Sequence, residues 1–335
     1  MRKEPYLFEL SGEHPQLPRA EVLACLEAET GNADVVEDGP GFVVARMTRT
    51  ELPKVGSRLA LSHRLGSFLG DCKSEELDGF LETVDLPSGS ISVRVKRFQG
   101  VGSPDLSNEI MKRAGEVLSR GRTVNLGSAN VKIRVLISDR LLFYLDEIRI
   151  DRCQFEARHV RSRPFFSPIS LHPRYARALV NLTRVKPGQT LLDPFCGTGG
   201  VLLEAATMGV RAFGSDISPE MIAGCRENMA HLGIPWEKLE VIDIGDIESV
   251  FGKVDAVATD PPYGRSATTR KEPARDLHLR ALDAIAQVLG PSSMAGVVLP
   301  QQCSGTKEFK LEASYEQRVH RSLTRHYCLL KRHGH

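Results

Sequence analysis

The chain has no apolar run of membrane-spanning length, and its first residues, Met1-Arg2-Lys3-Glu4-Pro5, contain no hydrophobic stretch of the kind an export signal needs. No membrane association is expected, and a cytoplasmic location is. The seven cysteines are odd in number, form no Cys-x-x-Cys pair and do not cluster with histidine at zinc spacing, so reduced thiols are expected rather than disulfides or a metal site. A dinucleotide fingerprint is also missing: Gly197-x-Gly199 is present, but Leu202 stands where the third glycine belongs, which counts against a nicotinamide dehydrogenase. No internal repeat or low-complexity tract occurs.

What is present fits a globular protein of two or more domains: 335 residues, 41% hydrophobic and 26% charged. The formal net charge of +2 hides an asymmetry. Residues 1–90 carry 9 Lys/Arg against 16 Asp/Glu, a net of −7, whereas residues 91–165 carry 15 against 8, a net of +7. The second segment is suited to polyanions.

Residues 1–60 read as strand, helix and strand, with Tyr6 to Leu10 and Phe42 to Ala45 as strands and an amphipathic run from Arg19 to Glu29. Residues 61–150 contain the basic strands Ile91 to Phe98 and Lys132 to Ile137. Period two puts Arg94 and Lys96 on one face of the first strand, and Lys132 and Arg134 add charge on the second. A helix from about Ser107 to Arg120, capped by Asp105 or Ser107, lies between them. Each cation taken alone is as well explained by a solvated face as by a phosphate contact. Residues 151–168 are arginine-dense and bounded by proline, including Arg161 and Arg163, and read as a basic linker. From 169 to 335 helices and strands alternate with the cadence of a doubly wound parallel sheet.

Two stretches in this last segment carry chemistry. After the strand at Leu191-Leu192, Asp193-Pro194-Phe195-Cys196-Gly197-Thr198-Gly199-Gly200 opens a helix, where unpaired N–H groups and the helix dipole favour a ligand. Asp216 ends the next strand 23 residues after Asp193, near the offset at which an acid reaches ribose hydroxyls. Asp246 and Ile247 follow the third strand, with Asp243 competing for the same role. Farther on, an apolar strand from Val254 runs into Asp260-Pro261-Pro262-Tyr263, and the prolines end it. A carboxylate, a carbonyl and an aromatic ring at a strand's carboxyl end suit a flat heterocycle with an amino group.

The Asp-Pro-Pro-Tyr tetrapeptide resembles the signature of the amino-methyltransferases. The loop from Asp193 to Gly200 is similar to the cofactor loop of Rossmann-like class I methyltransferases. Together with Arg163 to Phe166, Ser170 to Pro173, Ala176 to Leu182, Asp260 to Arg265 and His320 to Arg325, these residues resemble the archaeal and eukaryotic tRNA (guanine-10-N2)-methyltransferases.

The resemblance implies an α/β fold, with a class I methyltransferase domain behind an N-terminal α+β ferredoxin-like and THUMP RNA-binding region. It implies S-adenosyl-L-methionine as cofactor and tRNA as partner. It assigns Asp260, Pro261, Pro262 and Tyr263 to the target base. The cofactor falls to Asp193, Pro194, Phe195, Gly197, Thr198, Gly199, Asp216, Ile217, Asp246 and Ile247. RNA falls to Arg94, Lys96, Lys132, Arg134, Arg161, Arg163, Arg321 and Arg325. One or two methyl groups, a small activating subunit and the oligomeric state stay open. The alternatives are another tRNA guanosine, ribosomal RNA, DNA adenine, or an RNA-binding protein without catalysis.

Overall fold

The computed structural model describes residues 2–167, 170–263, 273–321 and 323–334. Gly264 and Arg265 of the quoted motif, Pro168 of the arginine-rich stretch and Ser322 of the C-terminal one lie outside the described residues. The chain forms two compact units, Met1–Asp151 and Arg152–His335.

The first unit opens with strand β1 (Glu4–Leu10), a helix (Leu17–Thr30), β2 (Val35–Gly39), β3 (Phe42–Met47), a helix (Leu52–Arg58) and β4 (Ser62–Cys72). The order β2-β3-β1-β4 makes this a ferredoxin-like β-α-β-β-α-β arrangement. Its fourth strand begins at residue 62, so the arrangement runs past the boundary at 60 suggested by the sequence pattern. The sheet continues from β4 through β7 (Leu141–Leu145) and β6 (Val131–Ile137) to β5 (Ile91–Arg97), while β8 (Ile148–Arg149) also pairs with β4.

Both faces of β1 are buried, which explains its dense apolar sequence. Tyr6, Phe8 and Leu10 pack with Val22, Cys25 and Leu26 of the first helix, whereas Leu7 lies with Phe42, Leu142 and Tyr144. The helix between β5 and β6 spans Pro104–Leu118 and is capped by Ser103, whose hydroxyl accepts from the Leu106 N–H at 3.0 Å. It starts three residues before the sequence expectation because Pro104 occupies the first helical position, where its missing N–H costs nothing.

The second unit contains β9 (Thr190–Asp193), β10 (Arg211–Asp216), β11 (Lys238–Val241), β12 (Val254–Thr259), β13 (Leu289–Leu299), β14 (Phe309–His320) and β15 (Leu323–Arg332). Their spatial order is β11-β10-β9-β12-β13-β15-β14. The first five run parallel, and β15 is antiparallel to both β13 and β14. Strand order reverses between β9 and β12, the switch point where open α/β sheets place ligands beyond the carboxyl ends. Leu192, Val257, Ile285, Ala295 and Leu330 belong to the apolar core under this sheet.

The arginine-rich stretch after Asp151 belongs to this second unit and is packed, not extended. Residues Cys153–Ala157 form a short helix with Phe155 fully buried. The Arg158 guanidinium makes two bonds to the Glu204 carboxylate, at 2.7 and 3.0 Å, and Arg177 Nε donates to the same carboxylate at 3.0 Å. Both guanidiniums lie over the Phe155 ring.

Candidate active site at the carboxyl edge of the second sheet

The Gly-rich turn leaves β9 and enters the helix Gly200–Ala206. Gly197 and Gly199 have φ of 48° and 85°, the left-handed region that glycine adopts without strain. A Cβ at Gly197 would meet nothing within 4 Å, whereas one at Gly199 would strike Cys225 Sγ at 2.7 Å. The loop is therefore open on its Gly197 side and closed against the following helix, Pro219–His231. Asn228 of that helix accepts from the Phe165 N–H at 3.1 Å and donates to the Phe165 and Thr198 carbonyls at 2.8 and 3.0 Å. Phe165, in turn, fills the space that a side chain at Gly224 would need. Asn228 and Gly224 thus hold the loop in place, and no sequence motif marks either one.

Three carboxylates converge on this edge. Asp193 is 2% exposed; its Oδ1 accepts from the Thr259 hydroxyl at 2.6 Å and the Phe195 N–H at 3.1 Å. Burial first, and the nearby Asp260 and Asp216 charges after it, push its pKa up to about 7 against those hydrogen bonds. Asp216 accepts from the Gly197 N–H at 3.1 Å and the Ser218 N–H at 2.9 Å, and its pKa is raised by burial. It ties β10 to the loop and still has lone pairs available for ribose hydroxyls. Asp260 follows the last residue of β12 and is pushed up to about 6, chiefly by burial, with Arg325 and Tyr263 opposing.

The Tyr263 hydroxyl donates to Asp260 Oδ1. Arg325 Nη2 lies 3.9 Å from Asp260 Oδ2, and its guanidinium sits 5.9 Å from the Tyr263 ring centre. The Pro262 carbonyl is taken by His278 Nε2 at 3.1 Å; no described residue donates to the Pro261 carbonyl. Asp260 and Pro261 thus present two acceptors, one of them covered by Tyr263.

The remaining candidates divide. Pro194 and Thr198 are buried in the turn, with Phe195 and Ile217 half-buried beside it. Asp246 is exposed, whereas Asp243 is engaged by Arg280 and by the Gly245 N–H at 2.9 Å. Ile247 has no exposed surface and belongs to the core, so its side chain is not presented to a ligand. Of the expected RNA contacts, Arg94, Lys132, Arg161 and Arg321 are exposed. Lys96 Nζ instead pairs with the buried Glu9 at 2.6 Å, and Arg134 Nε lies 3.4 Å from the same carboxylate. Arg163 is 5% exposed and Arg325 is 8% exposed. Residues that the sequence pattern passed over are Thr259, His278 and Asn228, whose roles depend on partners far along the chain. Among the described residues, no group of three or more His, Cys, Asp or Glu side chains is placed to hold a metal ion.

Residues 160–327 match the RMKL-like, methyltransferase domain family. A curated relative from Methanothermobacter thermautotrophicus, a tRNA (guanine(10)-N2)-dimethyltransferase, is 36% identical across 96% of this chain and 98% of its own. The chain belongs to this tRNA (guanine(10)-N2)-dimethyltransferase family. Another member, from Pyrococcus abyssi, is 33% identical across 97% of this chain and 99% of its own. The crystal structure of TrmN from Thermus thermophilus matches with a TM-score of 0.57 at 24% identity, covering 98% of this chain and 100% of that one. SMU.472, solved complexed with SAH, matches with a TM-score of 0.57 at 17% identity, covering 100% and 99%. At these identities the two structures establish the fold, which is the class I methyltransferase α/β fold expected from the sequence. In this member of the dimethyltransferase family the acids, the Gly-rich turn and the Pro-Pro stop come together at the carboxyl edge of the second sheet.

Proposed function

We propose that this chain transfers methyl groups from S-adenosylmethionine to the exocyclic N2 of guanosine 10 in tRNA. The observation that carries this reading is Asp260 at the switch point of the sheet, beside the open Gly197 turn, in a chain similar to the dimethyltransferases over nearly its whole length. The turn fits the cofactor: Gly197 leaves a cradle that any Cβ would fill, and Asp216 supplies acceptors for ribose. When bound, S-adenosylmethionine supplies a methyl group on a sulfonium, an electrophile needing no further activation.

An aromatic amine is a weak nucleophile because its lone pair is delocalised into the ring. Asp260 and the Pro261 carbonyl accept its two hydrogens, turning the nitrogen toward tetrahedral geometry and aiming the lone pair. Asp260 then takes the proton that the nitrogen sheds. Before that, the Tyr263 hydroxyl releases Asp260 Oδ1, which frees the ring to lie against the base. A monomethylated nitrogen keeps one hydrogen, so a single acceptor suffices to hold it for a second transfer, in keeping with the dimethyltransferase relatives.

We assign the first unit to tRNA as a ferredoxin-like and THUMP region and place the enzyme in the cytoplasm with its substrate. The supporting facts are its element order, its exposed Arg94 and Lys132, and the absence, among the described residues, of any helix long and apolar enough to cross a membrane. The test is methylation of a tRNA transcript and of its guanosine-10 substitution variant, read by nucleoside mass spectrometry. N2-methylated and N2,N2-dimethylated guanosine should appear in the first and vanish in the second; equal methylation of both would sink the reading. Asp260→Ala should abolish transfer while cofactor affinity, measured by calorimetry, changes little.

A further inference from the structure

Arg325 has the sequence setting of a surface contact, near the turn between two long strands, yet it is 8% exposed. Topology explains the difference. Strand β15 runs antiparallel to β13, pairing His326 with Leu299. Its first residues therefore lie at the carboxyl edge, level with the end of β12, and Arg325 reaches back over Asp260. A buried guanidinium needs compensation. Among the described residues it has a carboxylate at 3.9 Å and a ring face at 5.9 Å, while its Nε is buried with none of them accepting from it.

Such a group is held in place for what it does to its neighbours. We propose that Arg325 is a positioning residue for methyl transfer, fixing the Asp260 carboxylate and steadying the Tyr263 ring in its resting contact with it, instead of contacting RNA phosphates. This rests on the function proposed above. The guanidinium attracts the charged form of Asp260 against the burial that opposes it, and it steadies the Tyr263 ring from one face. Other groups face the same carboxyl: Tyr263 from its own loop, Tyr327 from β15 and Asp193 from the end of β9. Tyr175 stands against Tyr327, and His278 reaches Pro262 from the helix Ala274–Val288.

The test compares the full-length wild type with Arg325→Gln and Arg325→Lys. Three quantities are read: kcat with saturating tRNA, tRNA affinity as a function of salt, and the Asp260 titration midpoint by carboxyl NMR without substrate. Arg325→Gln should lower kcat by about 10–100-fold, the scale of a small misplacement at the reacting centre. It should also raise the Asp260 midpoint while leaving tRNA affinity and its salt dependence unchanged. Arg325→Lys keeps the charge but not the planar fork, so the midpoint should stay near wild type and kcat should fall between the two. This second variant carries the test where the first fails to fold. An unchanged kcat and midpoint with weaker, less salt-dependent tRNA binding in either variant would return Arg325 to the RNA contacts and overturn the proposal. A wild type that leaves tRNA unmethylated would overturn the functional reading instead, because the NMR midpoint reports on Arg325 without any turnover.

Discussion

Asp193 and Asp260 end neighbouring parallel strands, and burial raises both, but they differ in what they can do. Asp193, 2% exposed, accepts from both Thr259 and Phe195 through Oδ1, whereas Asp260 is held by one hydroxyl that can leave. A carboxyl whose folded pKa is raised favours the folded state fully below its unfolded value, and that contribution is lost as pH rises through the folded one. For Asp193 this window runs from about 4 to about 7. Asp193→Asn should therefore abolish a pH-dependent stability loss on the order of 3–4 kcal/mol across that window. Urea unfolding at pH 5 and pH 8 measures it: the wild type should lose more stability than the variant between the two, and equal losses would contradict the burial argument. The Asp260 turn was legible from sequence because proline at 261 and 262 allows few conformations. The Arg325 contact was not, since 65 residues separate it from Asp260 and only the antiparallel entry of β15 closes that gap.

At the level of elements, the arginine-rich stretch shows how composition misleads. Charge density suggested a basic linker at a domain boundary; the two units do divide at Asp151, but Arg158 and Arg163 turn inward and Phe155 is fully buried. Glu204 is the reason: placed in the helix that follows the Gly-rich turn, it has no exposed surface and binds two guanidiniums. Removing it would leave two buried cations without their carboxylate, a loss of about 3–5 kcal/mol. Glu204→Ala should lower the unfolding midpoint strongly, and it should weaken cofactor binding in the remaining folded fraction because the same helix begins at Gly200. Thermal unfolding with and without cofactor checks both; a loss under 1 kcal/mol would mean the pair is already solvated. Strand β4 was hard to see for the opposite reason. Its residues, including His63, Arg64 and Gly66, carry little β propensity, and Gly66 is there because any Cβ would collide with the Leu145 carbonyl at 1.7 Å.

Over the whole molecule, the sequence separates charge more cleanly than it assigns it. The net of +7 over residues 91–165 against −7 over residues 1–90 holds in the structure, but part of it is spent internally, with Lys96 and Arg134 compensating Glu9. Arg94 and Lys132 remain exposed, with Arg94 donating one bond to the Leu126 carbonyl at 3.1 Å. Alternation along β5 and β6 identified the face, but not which of its cations the fold would use, because Glu9 lies on β1, far away in sequence. If the exposed pair contacts phosphates, neutralising it removes counterion release as well as affinity. The double variant Arg94→Gln, Lys132→Gln should bind tRNA more weakly and reduce the slope of log affinity against log salt by up to about 1.8, roughly 0.9 for each lost phosphate contact. Cofactor affinity should not move, since the Gly-rich turn proposed to hold the cofactor belongs to the second unit. Lys96→Gln should behave differently, lowering stability by leaving Glu9 short of a partner in a 1% exposed site and shifting the salt slope little. Filter binding across a salt series, with unfolding measured on the same proteins, distinguishes the two outcomes; equal slopes for the double variant and the wild type would remove this face from the RNA surface.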